Sequence, residues 1–187
     1  VAYNRLQYSF SWTPCKTDYS SRHSGLKWKV EIYSLDGKKL GTASTSDIYC
    51  DIKSNKMREY LSKNGYKVRV RASYLHDNML LTGQWSDFKI VIPAANVSNS
   101  FYKIKGTTYK VKWDPIKNAS YYYIYVNRNN GKGKWNSLKL NNKQTSYVIK
   151  NIKKGQTVKA YVVPVVKVNG KYVKGTMNEL AVTTIIK

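Results

Sequence analysis

A chain of 187 residues with 33 Lys/Arg against 10 Asp/Glu carries a net charge of +23, on an ordinary hydrophobic share of 42%. No apolar run approaches the ~18 residues that cross a bilayer, so no membrane insertion is expected within this segment. Two cysteines and two histidines are too few and wrongly spaced for a disulfide framework or a zinc site.

Taken in chain order, Leu6 to Trp12 alternates apolar and polar residues and ends at Thr13-Pro14, the mark of a half-buried strand. A Ser- and Asp-rich loop closes at Gly25, and Lys27 to Tyr33 reads as the next strand. Asp36-Gly37 supplies the positive φ angles of a tight hairpin, and Ala43 to Ile52 is expected to return as one strand. Residues 54–62 hold helix formers with Met57, Tyr60 and Leu61 on one side, which predicts a short helical insert packed under a sheet. Tyr66 to Ala72 alternates again, and Gly83 to Phe88 opens a last strand that stops before Pro93.

The scheme then repeats. Thr108 to Trp113, a turn at Asp114-Pro115, and Ala119 to Arg128 follow in the same order. Asn129 to Gly133 forms a hairpin tip, after which Lys134 to Leu140 and Ser146 to Ile149 return. Lys154-Gly155 turns into a strand from Val158, and Asn169-Gly170 turns into Tyr172-Val173 and a closing strand over 180–186. A period of two, recurring at matching order and spacing, predicts an all-β chain of two tandem seven-stranded, immunoglobulin-like β-sandwiches. The domains are expected at residues 1–92 and 93–187, joined by a short, semi-rigid connection.

Charge is divided unequally between these halves. Residues 1–92 carry 15 Lys/Arg against 8 Asp/Glu, and residues 93–187 carry 18 against 2. A strongly basic second domain favours polyanions such as teichoic acid, sulfated or uronate glycan, nucleic acid or anionic lipid heads. The abundance of Lys, Asn, Tyr and Ile has a rival origin in AT-rich coding, and charge alone does not choose between them.

Ser11-Trp12-Thr13-Pro14 and Lys112-Trp113-Asp114-Pro115, with Asn118 to Ile124, Gly65 to Ala72 and Gln84-Trp85-Ser86-Asp87, make the whole chain resemble tandem fibronectin type III domains. The resemblance is to repeats of secreted Gram-positive, clostridia-like proteins. It implies an extracellular, secreted or surface-attached spacer or adhesion module, monomeric within a longer chain, without catalysis and without a cofactor. Val158 stands where that family places a corner tyrosine, and no Arg-Gly-Asp triplet occurs. The start, Val1-Ala2-Tyr3-Asn4, is neither a signal peptide nor a retained methionine, and fits a trimmed fragment.

Catalytic groups are sparse. His23 and His76 lie in polar loops, and the second domain offers only Asp114 and Glu179 as acids. Cys15 and Cys50 fall on neighbouring strands, as a bridge or as buried thiols. The candidate ligand-binding set is instead aromatic and basic. If Tyr122, Ile124 and Val126 face the core, then Tyr121, Tyr123 and Tyr125 face outward. Val158, Ala160, Val162 and Pro164 take the core of the adjoining strand, leaving Lys159, Tyr161 and Val163 outside. Trp135, Arg128, Lys132 and Lys134 around the hairpin extend this face. Rings stack on sugars and lysines pair with anionic groups, which suits a cell-wall or host glycan. The same mixture would stack bases and neutralise phosphates, and tyrosine-rich faces also bind proteins. An accessory role beside a glycan-degrading enzyme is a further alternative.

Overall fold

A computed structural model describes residues 2–4, 9–13, 26–96, 102–177 and 182–185. It divides into two compact units, residues 1–61 with 65–91, and residues 62–64 with 92–187. In the first unit, β1 (Ala2–Asn4), β2 (Ser9–Ser11) and β5 (Tyr49–Asp51) form one antiparallel sheet, with β2 central. The second sheet runs β4 (Lys39–Thr45), β3 (Leu26–Ser34), β6 (Tyr66–His76), with β7 (Met79–Thr82) and β8 (Lys89–Val91) both pairing β6. The other unit repeats this layout. β9 (Tyr102–Lys105), β10 (Thr108–Lys112) and β13 (Ser146–Ile149) make the smaller sheet, with β10 central. β12 (Asn136–Asn141), β11 (Ala119–Asn127) and β14 (Thr157–Val168) lead to β15 (Lys171–Lys174) and β16 (Val182–Ile185), which share β14. Both units are all-β, immunoglobulin-like sandwiches.

Two details differ from the expected seven continuous strands. Ala43 to Ile52 is not one strand: β4 ends at Thr45, the Asp47 N–H donates to Thr45 Oγ1 at 3.0 Å, and β5 then joins the opposite sheet. Pairing along the outer edge of β6 and of β14 is also interrupted. In the first unit the break spans 83–88, where the Gly83 N–H donates to the Ala72 carbonyl and Ser86 N–H to the Val70 carbonyl. Ser86 Oγ accepts the Val70 N–H at 3.0 Å, so this irregular stretch still satisfies the edge of β6. In the second unit the break falls opposite Pro164, which has no N–H to offer the ladder; its carbonyl accepts the Gly175 N–H at 2.7 Å.

Matching aromatic pairs tie the sheets of each unit together. Trp12 packs on Trp28 with ring centroids 5.7 Å apart at 57°, and Trp113 on Tyr122 at 5.7 Å and 59°. The Tyr122 hydroxyl accepts the Ile116 N–H at 2.9 Å inside the core. Both indole N–H groups, of Trp12 and Trp113, are buried without a hydrogen-bond partner among the described residues. The first core also holds Phe10, Val30, Ile32, Val68 and Val70 from both sheets. Helix α1 (Asn55–Lys63) joins β5 to β6, with Ser54 capping its start: Ser54 Oγ accepts the Met57 N–H. Its apolar side, Met57, Tyr60 and Leu61, packs against this core. Leu61 is fully buried.

The outer face of the first unit is held by charge. Glu31, on β3 and only 5% exposed, accepts from Arg69 at 2.8 and 3.0 Å and from the Tyr33 hydroxyl at 2.9 Å, and pairs with Lys39. Arg69 also lies over the rings of Trp85 at 4.4 Å and Phe88 at 5.0 Å, while Arg71 covers Trp85 at 4.5 Å. These cation–π contacts pin the irregular segment to the sheet.

Burial pushes the Glu31 carboxyl up, but the hydrogen bonds from Lys39, Arg69 and Tyr33 outweigh it and hold its pKa at about 2, against 4.5 ordinarily. A depressed carboxylate stabilises the fold fully above its unfolded pKa, and that contribution fades as pH falls through the folded value. Glu31→Gln is expected to lower the Tm at neutral pH by roughly 5–10 °C. It should also flatten the decline of Tm between about pH 5 and pH 2 in scanning calorimetry. An acid slope identical to the parent's would remove Glu31 from this role.

Candidate functional site

In the second unit β11 and β14 pair antiparallel, with Tyr122 opposite Pro164, Ile124 opposite Val162 and Val126 opposite Ala160. Those six side chains are buried. Period-two geometry therefore turns Tyr121, Tyr123, Tyr125 and Tyr161 to the other face, where each is half-buried. Tyr125 stands directly opposite Tyr161, and their rings stack at 4.8 Å and 18°. Trp135 leans on Tyr161 at 4.7 Å. From Tyr125 the series continues to Tyr123 at 6.2 Å, to Tyr121 at 5.6 Å, and to Tyr172 on β15 at 5.5 Å. Six rings thus form an unbroken row.

Lysines border the row. Lys139 on β12 places its ammonium 4.0 Å from the Tyr121 ring centre, Lys174 lies 5.2 Å from that of Tyr123, and Lys167 lies 5.8 Å from that of Tyr172. None of Tyr172, Lys139, Lys167 and Lys174 was among the residues expected from sequence. Period two along β12 and β15 carries the signal, since Lys139 is opposite Tyr123 and Tyr172 is opposite Lys167.

The β11–β12 connection is built on Asn127, 1% exposed. Its Nδ2 donates to the carbonyls of Lys132 and Lys134 at 2.9 and 3.1 Å, and its Oδ1 accepts the N–H groups of Asn129 and Gly131, both at 2.8 Å. All four bonding positions of the amide are used. Gly131 adopts φ 83°, and a Cβ there would lie 3.2 Å from Lys159 Cδ. The hairpin tip therefore rests on the stem of Lys159, and the chain leaves it with exposed Lys134 followed by Trp135 beside Tyr161.

Two expected members add no exposed surface to the row. Val163 is 3% exposed, and Val165 on the same face is fully buried. They stand opposite Tyr123 and Tyr121, whose rings are large enough to cover a β-branched neighbour. Arg128 does not join the tyrosines. It donates to the carbonyls of Lys150 and Asn151 at 2.8 and 3.3 Å, and lines a groove at the other side of β11. Of the two readings of the cysteines, a bridge or buried thiols, Cys50 takes the second. Cys50 is a free thiol turned into the first core, where burial pushes its pKa up. Cys15 and His23 lie outside the described residues, as does the side chain of His76. Among the described residues no group of three His, Cys, Asp or Glu side chains could hold a metal ion, and no helix is long and apolar enough to cross a membrane.

No protein-family model matches the chain, and no curated protein is similar to it in sequence. Among solved structures, the chicken CNTN1 FN1-FN3 domains are similar at 14% identity and a TM-score of 0.39 over 95% of this chain. A two-domain fibronectin type III segment of chicken tenascin is similar at 12% identity and a TM-score of 0.38 over 94% of it. The chain spans 59% of the first of these and 91% of the second. Superpositions this loose assign no activity and no partner.

Burial first, then the nearby Tyr123 and Tyr172, raises the pKa of Tyr121; burial and then Tyr125 raises that of Tyr161. A tyrosine whose pKa rises on folding favours the folded state below its ordinary value near ~10 and loses that contribution above it. Absorbance titration should therefore show a late-ionising fraction that shrinks in Tyr121→Phe and in Tyr161→Phe. Asn127→Ala strands the Gly131 and Asn129 N–H groups, at a cost of about 1–3 kcal/mol in denaturant unfolding. The resonances of Trp135 are expected to broaden in that variant. Sharp, unshifted Trp135 signals would show that Asn127 does not position the ring.

Proposed function

We propose that this chain is a non-catalytic, extracellular spacer or adhesion module of a larger surface or secreted protein, and that its second unit binds an anionic glycan or cell-wall polymer. The ring row is the contact surface: Tyr121, Tyr123, Tyr125, Tyr161, Trp135 and Tyr172 supply flat apolar faces, and Lys139, Lys174, Lys159 and Lys134 supply charge. The observation that carries this reading is internal. At the position where Tyr125 stacks on Tyr161 in the second unit, the first unit has Glu31 opposite Arg69. The same scaffold thus closes with an ion pair at that position, so the fold itself does not demand a tyrosine stack there.

The net charge of the second domain supports an anionic partner over a neutral one, because a basic field raises the local concentration of acidic polymers. Nucleic acid is the second reading, since bases stack on rings as sugars do. Competition between single-stranded nucleic acid and wall polymer separates the two, whereas salt dependence alone does not.

Tyr123→Ala combined with Tyr161→Ala is expected to reduce retention on arrays of anionic glycans and teichoic acid at least about tenfold, the loss of one to two stacked rings. The neutral array positions should respond less, and the Tm should fall by only a few degrees. Undiminished binding by the folded double variant would reject this face as the site.

A further inference from the structure

The two units differ at one edge of the sandwich, and the difference leaves an open groove in the second. Superimposing the repeats by their aromatic pairs, Trp12–Trp28 on Trp113–Tyr122, sets β3 on β11 and β4 on β12. Gly41, opposite Ile32, then matches Asn136, opposite Val126; Ala43, opposite Val30, matches Leu138, opposite Ile124. In the first unit this edge is covered by α1. Met57, Tyr60 and Leu61 pack on the core beside Leu40 and Ala43, and a Cβ on Gly41 would come within 3.0 Å of Met57 Cε. Among the described residues of the second unit no helix lies here. Its β13–β14 connection is half as long as the β5–β6 connection that carries α1.

What remains is a groove of about 720 Å³ between the free edges of β12 and β13. Its floor is mainly apolar: Ile124, Val126, Leu138 and Ile149, with Tyr147 beside them. Leu138 points to the core side, opposite buried Ile124, yet it is 47% exposed. A core-facing leucine left half in water marks an unfilled seat rather than a solvated surface. The rim carries Arg128, Lys150 and Lys153 and no acid.

We infer that this groove seats a short amphipathic helix of a partner protein, presenting apolar residues at i, i+3 and i+4 to the floor and acidic residues to the rim. The shape follows from the first unit, where a helix with that spacing, Met57, Tyr60 and Leu61, occupies the matching place. The charge follows from the rim. A second copy of α1 is a poor occupant, because Lys56, Arg58 and Lys63 outnumber Glu59 and would meet three cations. The site lies apart from the tyrosine row and does not depend on it.

The probe is a synthetic helix-favouring peptide with Met, Tyr and Leu at the spacing of 57, 60 and 61 and Glu at the remaining outward positions. Anisotropy titration against the whole 187-residue chain should show binding at least about tenfold tighter than for a peptide with the same residues in scrambled order, the range of a groove-docked anchor set. Leu138→Glu should weaken it by a similar factor while the thermal melt confirms folding. Lys150→Glu with Lys153→Glu should reverse the preference toward a Lys-bearing version of the peptide, a readout that loss of packing would not produce. Tyr123→Ala with Tyr161→Ala should leave the affinity unchanged. The inference is overturned if the scrambled peptide binds equally, if neither binds, or if a version with a central proline binds as well, since that result means an extended occupant.

Discussion

Register between the paired central strands is the constraint on which both units rest. Each β-strand places successive side chains on opposite faces, so a slip of one residue would exchange the core with the surface. In the first unit Trp28, Val30 and Ile32 are locked opposite Ala72, Val70 and Val68; in the second, Tyr122, Ile124 and Val126 are locked opposite Pro164, Val162 and Ala160. The cross-sheet pairs Trp12–Trp28 and Trp113–Tyr122 add a second fix, because a ring in the interior must find its opposite number at one height only. Once this parity is set, what appears on the outer face is decided by the intervening residues alone. There the two copies have diverged: Glu31 and Arg69 make an ion pair on one, and Tyr125 and Tyr161 make a stack on the other.

These two solutions have different physical consequences. The Glu31 cluster consumes its charges internally, as the carboxylate is surrounded by Arg69, Lys39 and Tyr33 and the guanidinium is sandwiched against Trp85 and Phe88. Such a face is self-satisfied. The tyrosine row has no acid within it, and the lysines that border it lean on ring faces rather than on carboxylates. Cation–π contacts at exposed sites contribute only about 0.5–1 kcal/mol each, so these ammonium groups can turn to an incoming anion at small cost. The first unit is therefore built to be stable at this face, whereas the second keeps its rings and charges available.

Much of this was legible in the sequence, and the limits of legibility have particular causes. Alternation over 121–126 revealed both the core set and the outward tyrosines, because one face of that strand is buried throughout. The hairpin at 129–133 was legible from its Asn and Gly residues, which do take positive φ at Asn130, Gly131 and Gly133. The burial of Val163 and Val165 was not, because it depends on rings carried by a different strand. Arg128 lies close to the hairpin, but parity decides its direction: it shares the even positions of Ile124 and Val126, and so turns toward the groove edge. Strand adjacency leaves both a bridge and a buried thiol open for Cys50, and its place in the core opposite Phe10 goes with the free thiol.

The helix has a larger meaning than its nine residues suggest. An immunoglobulin-like sandwich has two open sides, and in each unit one of them lies at the free edges of its two sheets, β4 and β5 in the first unit, β12 and β13 in the second. In the first unit Gly41 and Ala43 are small, which lets α1 approach closely with Met57 over the gap. In the second, Asn136 and Leu138 stand at those positions, and the connecting segment 150–156 is too short to fold a helix of its own. Leu138 would be an error on a surface designed only for water, since about half of a leucine side chain left exposed forgoes much of the ~1.5–3 kcal/mol that its burial supplies. The cations of the rim, of which Arg128 is fixed by two backbone carbonyls, give the opening a sign as well as a shape. The same sandwich layout thus occurs once with its own plug and once with the seat left open.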